Sequence, residues 1–253
     1  MTEPSLAPDR PAAADWTGVA LVALAALCFS ASIIFVRALP AFDAPTLTFY
    51  RALFAFLFFC LLTPFAARFR EPLRVRAYHA HVPVLIGLGL VMAATATLYT
   101  YAIQHTTAAN AALLVNSAPL YVALLAPWLL KEARPRYTWA SLALAILGIV
   151  LIAGPGGLRL DAAELGGLAA GVLSGVGYAM PMLIGRHLGG RVSGLTQIWW
   201  GSGVAALVLL PFALRGDVGA ALANFPTLAA LGVISMGLSY LLIFLGLRRV
   251  RAQ

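Results

Sequence analysis

The sequence predicts an all-α polytopic membrane protein, and three observations carry that reading. Of its 253 residues, 62% are hydrophobic and 10% charged, with a mean hydropathy of +0.91, whereas soluble domains carry about 25% charged residues. The apolar residues fall in continuous runs of about 20, the length of one helical crossing, and not in the alternating strands of about ten residues that build a membrane β-barrel. The polar breaks between the runs hold Pro and Gly, which end helices. A soluble globular fold, a β-barrel and a disordered chain are thereby excluded.

Residues 1–15 form a tail in which Glu3, Asp9 and Asp15 outweigh Arg10, so it lacks the basic start of a cleavable signal peptide and is expected to be cytoplasmic. The first span runs from Trp16 to Val36 and the second from Pro45 to Ala66, with Pro40 between them. Glu71-Pro72 precedes the third, Val82 to Ile103. Only Gln104 to Thr107 separate it from the fourth, Ala108 to Leu130, which predicts a tight antiparallel hairpin. Arg134-Pro135 leads into the fifth, Tyr137 to Ala153. A linker over 154–163, opened by Gly154-Pro155-Gly156-Gly157, is expected to be periplasmic. The sixth, seventh and eighth spans are Glu164 to Gly185, Gly194 to Leu214 and Phe225 to Leu247. Cys28 and Cys60 lie within apolar runs and read as small hydrophobes, not as a disulfide.

The net charge of +8 would suggest a nucleic-acid partner in a soluble protein. Here it sets orientation, because Lys and Arg are retained on the cytoplasmic side. Thirteen of the 17 basic residues, among them Arg68, Arg70, Arg74, Arg76, Lys131, Arg134, Arg136, Arg248, Arg249 and Arg251, fall on the side of the N-terminus. Arg37, Arg159 and Arg215 fall opposite, and Arg51 lies inside a span. Both termini are expected in the cytoplasm. The expected partners are the lipid bilayer and a small solute, with no nucleic acid; monomer and homodimer stay open.

Sliding the chain along itself by 149 residues places Gly18 on Gly167, Leu24 on Leu173, Arg37 on Arg186 and Tyr50 on Trp199. At an offset of 144, Met92 falls on Met236. The order of spans and the loop charges agree over three helices, which predicts a first repeat over 16–153 and an incomplete second repeat over 164–253. A five-helix unit is odd-numbered, so its second copy is inverted in the membrane, the architecture of many secondary transporters. A complete second copy would need about 45 residues more, so the expectation is a ten-helix (5+5) parent of which this chain holds eight helices, truncated after the eighth.

The stretch Leu27-Cys28-Phe29-Ser30-Ala31-Ser32-Ile33-Ile34-Phe35-Val36-Arg37, the stretch Leu47-Thr48-Phe49-Tyr50-Arg51-Ala52-Leu53 and the run Ala108 to Leu120, continuing to Leu130-Lys131-Glu132, are similar to the EamA family of the drug/metabolite transporter superfamily. Glu164 to Leu188, with Tyr178 and Arg186, resembles the opening of that family's second domain. The resemblance implies a small-molecule transporter and a basic residue at Arg51. Trp200 stands where the first repeat has Arg51, a departure from the repeat.

Intramembrane charge is expensive and points to function. Arg51 has two readings: it snorkels to the interface, or it lines the pathway and pairs with Asp43 or a solute carboxylate. No Asp or Glu lies mid-span, which favours facilitated or exchange transport over proton coupling. Uncharged polar stripes supply further candidates: Asn110, Ser117 and Tyr121 on the fourth helix with Asn116 beside them; Thr97 and Tyr101 on the third, with Thr95 and Tyr99 on a neighbouring stripe; Ser174 and Tyr178 on the sixth. These stripes line a cavity or bond between helices. Trp199 joins the cavity or an interfacial aromatic belt. Gly167, Gly171 and Gly175 form a ladder for close helix contact. No nucleophile elbow, metalloprotease motif or phosphate-cradling loop is present in the sequence, so neither an enzyme nor a cofactor is expected, and no metal site. The predicted function is an inner-membrane transporter of an amino acid, metabolite or drug-like compound, working by alternating access in the export direction. The alternative is a non-transporting remnant or assembly partner.

Overall fold

The computed structural model describes residues 16–62, 81–129, 139–140, 143–144, 147, 162–188 and 192–251. The described elements are helical throughout: α1 (Trp16–Arg37), α2 (Ala44–Leu62), α3 (Val82–His105), α4 (Ala108–Asn116), α5 (Ala118–Leu129), α6 (Ala162–Leu188), α7 (Gly194–Arg215), α8 (Val218–Ala223), α9 (Phe225–Gly232), a π-helical segment (Val233–Leu238) and α10 (Ser239–Arg251). Seven stretches among them are long and apolar enough to cross a membrane. The 22 residues of α1 reach about 33 Å at 1.5 Å per residue, matching a hydrocarbon core of about 30 Å. The predicted fifth span, Tyr137 to Ala153, lies largely outside the described residues, as do the 1–15 tail and most of the 154–163 linker.

Helix ends follow local chemistry. The α3–α4 hairpin turns through Thr106 and Thr107, and the Thr107 hydroxyl accepts from the Asn110 backbone N–H as the α4 N-cap. Ser193 caps α7 in the same way on Thr196. Asp217 accepts from Gly219 and Ala220 and starts the short α8, a turn the hydropathy pattern does not reveal. The predicted fourth span is broken at Ser117, two residues before Pro119, into α4 and α5.

The eighth span departs from regular α geometry in its middle. Over Val233–Leu238 the backbone is π-helical, a form that disturbs the regular ladder. The buried Ser235 hydroxyl bonds the Leu231 carbonyl and that of Ser239 bonds the Ser235 carbonyl, so side chains supplement the backbone bonding there.

Within lipid there is little hydrophobic drive between helices, so packing depends on close backbone approach at small residues. α3 packs along α6 and α7, α2 along α7, and α1 along α10. Glycine sits in these seams. A Cβ on Gly167 would stand 2.9 Å from the His105 backbone, one on Gly175 would meet the Leu114 carbonyl, and one on Gly246 would lie 2.9 Å from the Gly18 carbonyl. The glycine ladder of α6 is thus a contact surface against α3 and α4. Outward faces carry Leu27, Ile34, Leu61, Leu207 and Leu214, all exposed and positioned for lipid.

Candidate functional site

α2 carries Arg51 seven residues after its start at Ala44, about 10 Å down the helix axis. Snorkelling does not occur: the side chain is 2% exposed and turned into the bundle. Its guanidinium lies over the ring of Phe29 from α1, 5.5 Å from the centroid, and over that of Tyr99 from α3 at 6.0 Å. Phe29 and Tyr99 are themselves stacked at 6.0 Å, and Tyr178 from α6 meets both edge-on. Tyr178 and Tyr240 line one small cavity together with Arg51. An aromatic cage contributed by four separate spans therefore surrounds one permanent cation.

Nε and Nη1 of Arg51 are buried and have no hydrogen-bond partner among the described residues. A buried charged donor without an acceptor is strongly unfavourable, so such a group in a native structure calls for an explanation. Asp43, the sequence-suggested partner, lines a different cavity. The space beside Arg51 is bounded by Met92, Thr95, Ala96, Tyr178, Pro181, Met236 and Tyr240. It holds about 20 Å³, room for one water-sized group, whereas small-molecule sites are typically about 300–1,000 Å³. The site is closed in this conformation.

Irregular backbone marks the same place. Pro181 interrupts α6 and deprives the Gly177 carbonyl of its usual intrahelical N–H partner. Met236 belongs to the π segment, and Tyr240 follows it on α10. Transporter binding sites are built where spanning helices are discontinuous and free backbone groups face a cavity.

A larger cavity of about 760 Å³ lies at the end of the bundle where α1 and α3 finish, lined by Val36, Arg37, Pro40, Phe42, Asp43 and His105 with their neighbours. Arg37 donates to the Thr106 carbonyl and Gln104 to that of Phe42 there. An apolar cluster including Val36, Leu39, Leu47 and Ile103 extends from this cavity to Tyr99 and the cage. The smaller cavity is the better candidate site because it holds a buried charge with donors that lack acceptors, whereas Asp43 in the larger cavity is exposed.

The sequence-derived candidates separate into groups. Arg51 and Tyr178 come together in the cage. Ser174 is fully buried and bonds the Gly171 carbonyl, while Ser117 bonds that of Leu114; both sit in the α4–α6 contact zone. Tyr121 packs there against Val122, Ala179 and Leu183. Asn110 is buried at the start of α4 and reaches the Thr106 hydroxyl at 3.4 Å. Asn116 is exposed and bonds the Ala112 carbonyl. Thr97 bonds the Ala93 carbonyl of its own helix. Tyr101 is exposed and stacks on His105. Trp199 donates to the Cys60 thiol at 3.3 Å and packs on Phe56 and Trp200, away from the cage. It is the neighbouring α3 stripe, Thr95 and Tyr99, that faces Arg51. Phe29, against Arg51, and Met92, Met236 and Tyr240, on the cavity wall, are further residues of the site; the alignment of Met92 with Met236 between repeats is the sequence signal that could find two of them.

A helical bundle with a charge-bearing centre and lipid-facing apolar walls has the architecture of a polytopic membrane protein. The family comparison agrees, matching the EamA-like transporter family over residues 16–154 and again over 165–253. The chain belongs to that family. It is 31% identical over 173 residues to an "uncharacterized transporter" of Helicobacter pylori, covering 68% of this chain and 55% of that relative, so the matched region spans about half the relative's length. The pseudopaline exporter of Pseudomonas aeruginosa is 29% identical over 87% of this chain and 75% of its own. A "probable terminal-alkyne amino-acid exporter" of Streptantibioticus cattleyicolor is 32% identical, over 67% of this chain and 58% of its own. A crystal structure sharing 18% identity matches 92% of this chain and 80% of its own with a TM-score of 0.63, a likeness of fold.

Proposed function

We propose that the chain carries a small organic solute (an amino acid, metabolite or drug-like compound) out of the cell by alternating access across a bacterial inner membrane, with both termini cytoplasmic. The observation that carries this reading is the buried Arg51, with Nε and Nη1 lacking an acceptor, in a closed cavity where α1, α2, α3, α6 and the eighth span converge. The exporter names of two relatives support the direction. A division into repeats over 16–153 and 164–253 is supported by reciprocal packing. The pairing of the third span with the sixth recurs as the pairing of the eighth with the first, while the second and seventh pair with each other. In this reading Arg51 and Tyr178 contact solute, close approach at Gly171 and Gly175 holds the α4–α6 seam together, and alternation separates the helices around the closed cavity.

The test is efflux of radiolabelled amino acids from cells expressing the chain, with membrane abundance measured in parallel. Tyr99→Leu, which removes one of the two cation–π contacts that hold Arg51, is expected to lower efflux about 3- to 30-fold. Asn116→Ala and Tyr101→Ala, remote from Arg51 and exposed, should stay within about twofold of wild type. Equal losses in all three variants would disperse the site over the whole bundle and contradict this assignment. Orientation has its own check: an alkaline phosphatase fusion after Gln253 should be inactive, and activity there would place that end in the periplasm.

A further inference from the structure

We infer that the Arg51 cavity recognises the carboxylate of its solute and offers no partner to an ammonium, so that it prefers apolar organic acids to the corresponding amino acids. This inference rests on the transport reading above but concerns a separable property, the charge selectivity of the site. The guanidinium is planar, permanently charged and rich in donors, and two of its nitrogens, Nε and Nη1, are buried without an acceptor. A carboxylate supplies paired acceptors in the geometry that a guanidinium favours.

The surroundings decide against the other ligand classes. An ammonium would need a carboxylate or a free aromatic face. No acidic residue lines the cavity among the described residues; the faces of Phe29 and Tyr99 are engaged by Arg51 itself, and the two rings that do line the cavity, Tyr178 and Tyr240, share it with that same cation. The aromatic contacts hold the guanidinium without consuming its N–H donors. A cationic solute would add like charge next to Arg51, and a neutral amide would leave that charge uncompensated. Of the remaining lining, Met92, Ala96, Pro181 and Met236 are apolar and fit a hydrocarbon body, while Thr95, Tyr178 and Tyr240 add hydroxyls. The two methionines are unbranched and adaptable, so they can yield space that the closed cavity of about 20 Å³ does not offer.

The experiment uses the full chain purified in lipid nanodiscs, with thermal stability read against four related probes: phenylalanine, phenyllactate, phenylalaninamide and phenethylamine. Phenyllactate is expected to raise the melting temperature most, phenylalanine less because its ammonium finds no partner, and the amide and the amine not at all; equal shifts by the two acids would overturn the discrimination against an ammonium. In Arg51→Gln the acid preference should vanish. In Arg51→Lys, which keeps the charge and loses the planar donor array, the preference should persist with affinity weakened about tenfold. Stabilisation by the amide or amine equal to that by the acids overturns the inference, as does failure of both acids to stabilise, or an acid preference surviving in Arg51→Gln. Acid-selective binding without efflux would contradict the transport reading and leave this inference intact. Efflux of amides and acids at equal rates would do the reverse.

Discussion

Arg51→Gln is expected to reduce solute efflux by about 10- to 100-fold while the protein inserts, folds and melts at the same temperature or higher. The first half follows from the worth of hydrogen bonds to a charged group, about 1.5–3 kcal/mol. The second follows from the cost of burying a charge whose Nε and Nη1 lack acceptors. Loss of the cation–π contacts with Phe29 and Tyr99 offsets part of that relief, by about 1–2 kcal/mol. The combination separates a functional arginine from a structural one. If the guanidinium were holding the helices together, Arg51→Gln would lose stability and activity in proportion. A stable, inactive variant assigns the charge to the solute. Efflux and melting measured on the same preparations decide between them.

Gly232→Val is expected to be the most damaging substitution at a helix seam. A Cβ there would stand 2.5 Å from the Phe54 Cβ, 2.9 Å from the Arg51 carbonyl oxygen and 3.2 Å from that of Tyr50. These are atoms of the α2 backbone or close to it, and they cannot rotate away. α9 and α2 must separate, at about 1–3 kcal/mol, and the displaced segment is the one that carries Arg51. Stability and transport should therefore fall together. Gly171→Ala is milder, since its first contact is the end of the flexible Leu114 side chain. Gly87 has nothing within 4 Å, so Gly87→Ala should be neutral or stabilising by up to about 1 kcal/mol through helix propensity. Melting temperatures should rank Gly87→Ala at the top and Gly232→Val at the bottom; a uniform response would mean that these close contacts do not limit packing.

Much of the fold is legible in the sequence because hydropathy and helix-ending residues act locally. The predicted span Trp16 to Val36 is observed as Trp16–Arg37, and Val82 to Ile103 as Val82–His105. The tight hairpin at Thr106 and Thr107 follows from a loop too short for another course. The glycine ladder of α6 was readable because close approach requires small residues.

Rotation about each helix axis was less legible, for a physical reason. In a soluble bundle, polarity separates the solvent face from the core, but lipid is as apolar as a core, so the pattern of α3 does not say which stripe turns inward. The Thr97–Tyr101 stripe and the Thr95–Tyr99 stripe have the same composition, and only the second faces Arg51. Hydroxyls blur the signal further. Thr97 and Ser174 satisfy themselves on carbonyls of their own helices, so an intramembrane hydroxyl need not face a cavity. The direction of Arg51 was undetermined for a related reason: a long side chain can rise to the interface or turn inward, and the aromatic rings that draw it inward come from α1 and α3, far away in sequence. The π segment depends on the local bonding of Ser235 and Ser239, which hydropathy does not register.

The central claim is that the cavity beside Arg51 opens in turn to each side of the membrane. Ala96, on its wall, is half-buried and small enough for Ala96→Cys to fit, with Cys28 and Cys60 replaced by Ser to remove the native thiols. The most direct measurement is labelling of this cysteine by a membrane-impermeant thiol reagent, applied to right-side-out and to inside-out vesicles, with and without phenyllactate. The account predicts labelling from both sides and slower labelling from both when the acid is present. Labelling from one side only, or labelling unaffected by the acid, would contradict it.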